Sequence, residues 1–161
     1  MSTWFVLNAR DAKWGIGDLG KYCNFEESKD ERFPQLGFNL NILDPGEPMA
    51  MYHREDGQEA FLVLDGECLL IVEGKERPLK RWDFFHCPPQ VAHVIVGAGD
   101  GPSLVLAVGS RMHGRGVFYP ADPVARSHGA APAVDTAEPR EAYAGRTLLP
   151  PGPYQEGWLP E

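Results

Sequence analysis

Between Gly37 and Gly109 the chain is cut into short apolar runs, each stopped by turn-forming residues, and this rhythm limits the fold more than any other feature. Phe38 to Leu43 is stopped by Asp44-Pro45-Gly46-Glu47-Pro48, Met49 to Glu55 by Asp56-Gly57, and Glu59 to Leu64 by Asp65-Gly66. Glu67 to Glu73 ends at Gly74-Lys75, Arg77 to Arg81 is a weaker run, and Phe84 to Cys87 leads into Pro88-Pro89. Ala92 to Val96 runs into Gly97-Ala98-Gly99-Asp100-Gly101, and Ser103 to Val108 closes the series. Runs this short, rich in Val, Leu, Ile and Phe, predict strands rather than helices. Asp-Gly and Glu-Gly pairs suit tight hairpins, because glycine accepts positive φ without a Cβ clash. About eight antiparallel strands with no helical run between them imply a sandwich, barrel or jelly roll.

The flanks differ. Residues 1–36 read as a polar and aromatic N-terminal arm, with one short strand over Trp4 to Leu7 and a glycine-rich turn at Trp14-Gly15-Ile16-Gly17. Residues 111–161 hold eight of the fifteen prolines. Proline removes ladder donors and breaks helices, so an extended tail is expected, with short helical turns near Pro123–Ser127 and Pro139–Tyr143. The barrel is assigned to residues 37–110. Arm and tail exceed what one barrel needs, so one of them is expected to cross a partner barrel in a homodimer.

Composition excludes several functional classes. A net charge of -8 with no run of Lys or Arg argues against nucleic acid and anionic membranes as partners. The three cysteines, Cys23, Cys68 and Cys87, are widely spaced and form neither a disulfide framework nor a CxxC metal knuckle. No stretch approaches the roughly 18 apolar residues of a membrane span, and the start lacks the pattern of a secretory leader. A cytoplasmic location is therefore expected.

Strand alternation puts His53 and Glu55 on one face, two residues apart. Glu59 opens the next run with Phe61 and Val63 on its own face, and a hairpin is expected to set it opposite the strand carrying His53. His93 shares a face with Val91 and Ile95. Imidazoles and carboxylates on an apolar wall are costly unless paired or bound to a cation. Two His with one or two Glu make a reasonable site for zinc, iron, manganese or nickel.

The stretch Gly46 to Gly66 resembles the first cupin motif, a Gly, then H-x-H, a Glu three or four residues on, and a Gly after six more. Pro88-Pro89-Gln90-Val91-Ala92-His93 resembles the second, P-x-G-x-x-H. The resemblance implies an all-β cupin double-stranded β-helix, a jelly-roll barrel, and for many members a divalent metal held by three His and one Glu. His53, Glu59 and His93 match three of those ligands, and Glu55 stands where the second His is expected. Trp82 replaces the Gly before Asp83 and Gln90 the Gly of the second motif; these are read as neutral changes on loops.

Two functions follow. The first is a metal-dependent enzyme on a small polar molecule, of the isomerase, epimerase, decarboxylase or dioxygenase kinds that the resemblance implies. His53, Glu59 and His93 would hold the ion, with Glu55 as fourth ligand or general base. The second is a non-catalytic ligand-binding or sensor barrel, possible without metal. Glu55 can also be a rim residue beside Arg54. His86 reads as a hydrogen-bonded barrel residue, His113 and His128 as surface positions, and Cys68 and Cys87 as small hydrophobes.

Overall fold

The computed structural model describes residues 4–26, 32–112, 114 and 116–161; His113 lies outside them. In chain order the strands are β1 (Lys13–Gly17), β2 (Gly20–Cys23), β3 (Leu36–Leu43), β4 (Arg54–Glu55), β5 (Glu59–Asp65), β6 (Glu67–Val72), β7 (Lys75–Lys80), β8 (Phe84–Cys87), β9 (His93–Ala98), β10 (Ser103–Ser110), β11 (Val117–Phe118) and β12 (Leu148–Pro153). Two short helices, α1 (Pro123–Ser127) and α2 (Pro139–Ala142), lie between the last two strands. Asp122 caps α1 by accepting from the Ala125 amide, with Pro123 at the first helical position. No helix among the described residues is long and apolar enough to cross a membrane.

The strands form a seven-stranded sheet in the order β12-β1-β2-β3-β10-β5-β8, a three-stranded sheet β7-β6-β9, and the small pair β11-β4. Prolines in strands fall in β7 and β12, both at sheet edges, where a missing N–H leaves no ladder bond unmade. Of the three acidic-Gly pairs that end the runs from Met49 to Glu73, Glu73-Gly74 alone makes a two-residue hairpin, with both residues at positive φ and Val72 opposite Lys75. Asp65-Gly66 does something else. It carries the chain from β5, paired with β10 and β8, to β6 in the other sheet. Asp56-Gly57 likewise leads from β4, which pairs with β11, to β5, with which β4 does not pair. Sheet-switching corners therefore replace two of the expected hairpins.

The two sheets close on a core of Leu43, Val63 and Val105 from one and Cys68, Leu70 and Ile95 from the other. A second cluster sits on the outer face of β3 and β10, where Trp14, Ala12 and Cys23 meet Ile42 and Leu104 under Tyr154 and Trp158. A third packs α1 against the three-stranded sheet through Ala125, Tyr52, Val94 and Val96.

The arm departs from expectation. Trp4 to Leu7 is irregular, and its strands lie instead at β1 and β2. Gly15 and Gly17 are there for close approach and not for a turn. A Cβ on Gly15 would fall 2.3 Å from the Tyr22 ring, and one on Gly17 would fall 2.3 Å from the Thr147 carbonyl oxygen. The tail also returns to its own chain: β12 pairs with β1, and β11 with β4.

Trp82 and Gln90 are not neutral replacements. Both keep the left-handed backbone of a glycine, with φ of 76° and 67°, at a cost of about 1–2 kcal/mol each for a residue with a Cβ. Surrounding bonds fix them there. The Trp82 amide donates to the Val63 carbonyl at 2.8 Å and that of Gln90 to the Glu55 carbonyl at 2.8 Å. Gln90 Nε2 also donates to Asp56 Oδ1 at 2.6 Å, so this side chain clamps the loop that follows Glu55.

Candidate metal centre

The Met49 to Glu55 run is mostly irregular, yet two bridges, Pro48 to Val96 and His53 to His93, hold it against β9. His53 and His93 exchange backbone hydrogen bonds of 3.1 and 2.9 Å. Residues directly opposite in this way project to the same face, and the imidazole centroids lie 5.0 Å apart. Glu59 reaches them differently from expectation. Its strand β5 belongs to the seven-stranded sheet, so its carboxylate faces the histidines across the barrel and not along a hairpin.

Glu59 Oε2 stands 3.7 Å from His53 Nε2 and 3.2 Å from His93 Nε2. Candidate ligand atoms of the three residues all lie within 4.8 Å of one another. The far side of each ring is occupied by a carbonyl, Met51 O at 2.8 Å from His53 Nδ1 and Val91 O at 3.1 Å from His93 Nδ1. A carbonyl only accepts, so the N–H of each neutral ring sits at Nδ1 and Nε2 presents a lone pair inward. Glu59 Oε2 is buried and has no hydrogen-bond partner of acceptable geometry. With both rings neutral, three lone-pair donors converge on one point, an arrangement that a divalent cation satisfies. His53, Glu59 and His93 fit such an ion by residue type, tautomer and spacing.

Electrostatics follow from this crowding. Burial disfavours the Glu59 carboxylate, but the two histidines outweigh it and hold its pKa at about 2. Burial also works against a His53 imidazolium, and the contact with Glu59 overcomes it and raises the pKa. Glu55 goes the other way: burial, then the nearby Glu59 charge, push its carboxyl above the ordinary range. Glu55 lines the same cleft as His53 and Glu59 and stands outside the close grouping of the three.

The cleft above the triad has a volume of about 740 Å³, within the range of small-molecule sites. The tail supplies part of its wall through Tyr119 and Tyr143, which sequence reasoning missed. Their rings meet edge to face at 5.7 Å, and Tyr119 lies 6.0 Å from His53. The Met51 amide donates to the Tyr143 hydroxyl at 3.3 Å. Burial raises both phenol pKa values, so each hydroxyl keeps its proton. Arg111 borders the mouth, paired with Glu26 and donating to the Phe33 carbonyl at 2.9 Å.

The remaining candidates fall elsewhere. His86 lies on β8 opposite Ala60, as a barrel residue, but it is exposed and stands apart from the grouping of His53, Glu59 and His93. His128 pairs with Glu76 at 2.5 Å on the surface. Cys68 and Cys87 are buried and free, but Cys87 is more than filler: its sulfur lies 3.3 Å from His93 Nδ1.

Comparison with known proteins agrees with this fold. Residues 39–109 match the family profile described as Cupin domain. The structure is similar to a sugar phosphate isomerase of the cupin superfamily from Silicibacter pomeroyi, at 24% identity and a TM-score of 0.59, over 66% of this chain and 76% of that one. It is similar to the polyketide cyclase RemF from Streptomyces resistomycificus at 15% identity and a TM-score of 0.61, over 78% and 93% of the two chains. A protein from Thermotoga maritima described as a predicted oxalate decarboxylase matches at 20% identity and a TM-score of 0.56, over 66% and 98%. No curated protein sequence matches the chain.

Proposed function

The chain carries a cupin domain, and we propose that it is a divalent-metal-dependent enzyme acting on a small polar molecule, of isomerase, epimerase or dioxygenase type. The observation that carries this reading is the buried Glu59 Oε2, left without a hydrogen-bond partner while two Nε2 lone pairs face it. Proteins sharing the fold bear names as different as isomerase, cyclase and decarboxylase, so the fold supports the site and does not select the reaction.

His53, Glu59 and His93 would hold the ion, which supplies a Lewis acid for an oxygen of the bound molecule. Glu55 lies beside them with its pKa raised by burial and by Glu59, the direction that suits a general base near neutral pH. Proton abstraction at carbon or hydroxyl would place the proton on a Glu55 carboxylate oxygen, for return to the product. Tyr119 and Tyr143 keep their hydroxyl protons and can donate to the molecule from the cleft wall. Phe33, Val117 and the two tyrosines shield the cleft.

Elemental analysis of protein produced with metals present tests the reading. About one transition-metal ion per chain, lost in His93→Ala, is expected; wild-type protein that takes up no ion at all refutes it. A metal-free ligand-binding barrel is the second reading. One observation favours it: Glu59 lies 3.7 Å from His53 and raises its pKa, so a proton on His53 would pair the two without a cation. Retention of a small organic molecule by metal-free protein, with no turnover, is its signature.

A further inference from the structure

Behind the triad the barrel keeps a small chamber of about 160 Å³, walled by Asn39, Asn41, Met49, Phe61, Ile95 and Ala107. Asn41 stands out in it. The residue is 7% exposed, and its Nδ2 is buried with no hydrogen-bond partner. Its backbone sits inside the sheet, paired with Tyr22 on one side and Val105 on the other, so only the side chain is free. Val105 and, beyond it, Val63 are the inward neighbours in this row, and an apolar residue at position 41 would serve folding better. A buried unpaired amide is destabilising and uncommon. Asn39 repeats the choice one inward position along β3, opposite Ala107.

The walls restrict what can fill the chamber. The Asn41 amide needs an acceptor. Apart from the ion that the triad would hold, no lysine or arginine lines the chamber to receive a carboxylate or phosphate, and Glu59 at its edge disfavours one. A polyhydroxylated ring would leave hydroxyls unpaired against Met49, Phe61 and Ile95. A carbonyl or enolate oxygen on a hydrocarbon skeleton meets both conditions. We propose that the chamber is a subsite for a keto or enolate oxygen of the bound molecule, with Asn41 Nδ2 as its hydrogen-bond donor. The proposal rests on the metal reading above, because chamber and triad would hold the same molecule.

The test uses the full chain loaded with cobalt(II), titrated with the small β-diketone acetylacetone, and with imidazole as a ligand that needs the ion alone. Asn41→Leu keeps the side-chain size and removes the donor. Its acetylacetone Kd should rise about tenfold, the loss of one hydrogen bond of roughly 1.4 kcal/mol. Cobalt and imidazole affinities should stay within about twofold, and the thermal midpoint should hold or rise. Asn41→Val, a smaller apolar side chain that suits a strand and lacks the donors, must show the same selective loss, and it decides the matter if the leucine variant fails to fold. Equal diketone affinity in wild type and variants overturns the subsite, as does no diketone binding by wild type. A fall in thermal midpoint together with cobalt loss assigns Asn41 a structural role and also overturns it. Wild type that takes up no cobalt refutes the metal reading itself, a separate failure that removes the basis for the subsite.

Discussion

The two ends of the barrel are built by the same strands and differ in almost every inward position. Near the mouth, the rung formed by Gly37, Gly109 and Glu59 pairs across β3, β10 and β5, and the next rung holds Asn39, Ala107 and Phe61. Toward the floor the rung is Asn41, Val105 and Val63, with Leu43 beyond. Glycine and alanine near the mouth leave the room that the cleft and triad occupy. Val63, Val105 and Leu43 at the floor are fully buried. One sheet thus stores stability at the floor and leaves open space toward the mouth, with its two orphaned polar atoms on Glu59 in the first rung and on Asn41 where the chamber ends, and a period-two strand lets it do both without a break.

Separability of the two ends is the claim most open to attack. His93→Ala should have the largest effect on the mouth, abolishing stoichiometric metal and exceeding the roughly 10–100-fold affinity loss caused by removing even an outer hydrogen bond of a metal site. Leu43→Ala at the floor should instead cost about 2–5 kcal/mol of folding stability while metal content per folded chain is preserved. Denaturant unfolding and elemental analysis of both variants decide this; parallel loss of metal and stability in Leu43→Ala would break the comparison.

Acid should separate the ends next. Burial opposes the Glu26 carboxylate, but the hydrogen bond from Arg111 and the Phe33 amide outweigh it and hold the pKa below 4.5. A carboxyl depressed in the folded state contributes stability above its unfolded pKa, lost as pH falls through the folded value. Thermal midpoints below about pH 4.5 should therefore fall more steeply for wild type than for Glu26→Gln, whereas Leu43→Ala should shift the whole curve without changing that slope.

Gly109→Ala is a gentler probe of the mouth. Its new methyl would lie 3.8 Å from Glu59 Cγ, ordinary contact, at a backbone without positive φ. Stability should rise by about 0.4–1 kcal/mol, with metal retained and the cleft narrowed, as calorimetry and ligand titration would report. The smallest effect is expected at Cys87, whose thiol burial and neighbouring carboxylates push up to about 12. Iodoacetamide at pH 8 should leave it unlabelled in the folded chain, and rapid labelling would show that the mouth opens more than this geometry allows.

The strands and the triad were legible because they rest on local rules. Turn residues bound each run, and alternation alone put His53, Glu59 and His93 on inward faces. Asn39 and Asn41 alternate with Phe38, Leu40 and Ile42 just as visibly, but the apolar residues made the segment read as one greasy run. Their true role was to cover the other face, under the arm and tail. Tyr119, Tyr143 and Arg111 left no local mark, because only tertiary packing brings the tail to the cleft. Trp14 to Gly17 misled for a similar reason: the glycines answer to Tyr22 and Thr147, neighbours that no spacing in the sequence encodes.

Trp82 and Gln90 show what happens when a backbone outlasts the residue type it favours. Trp82→Gly would release strain and give up little packing, since the indole is 63% exposed, with the Arg81 guanidinium lying over its ring. The fold therefore holds reserve that a single codon can recover, which gives the chain mutational headroom. Changes around the cleft that weaken folding can be absorbed by restoring one glycine, and new specificities become reachable without collapse of the barrel.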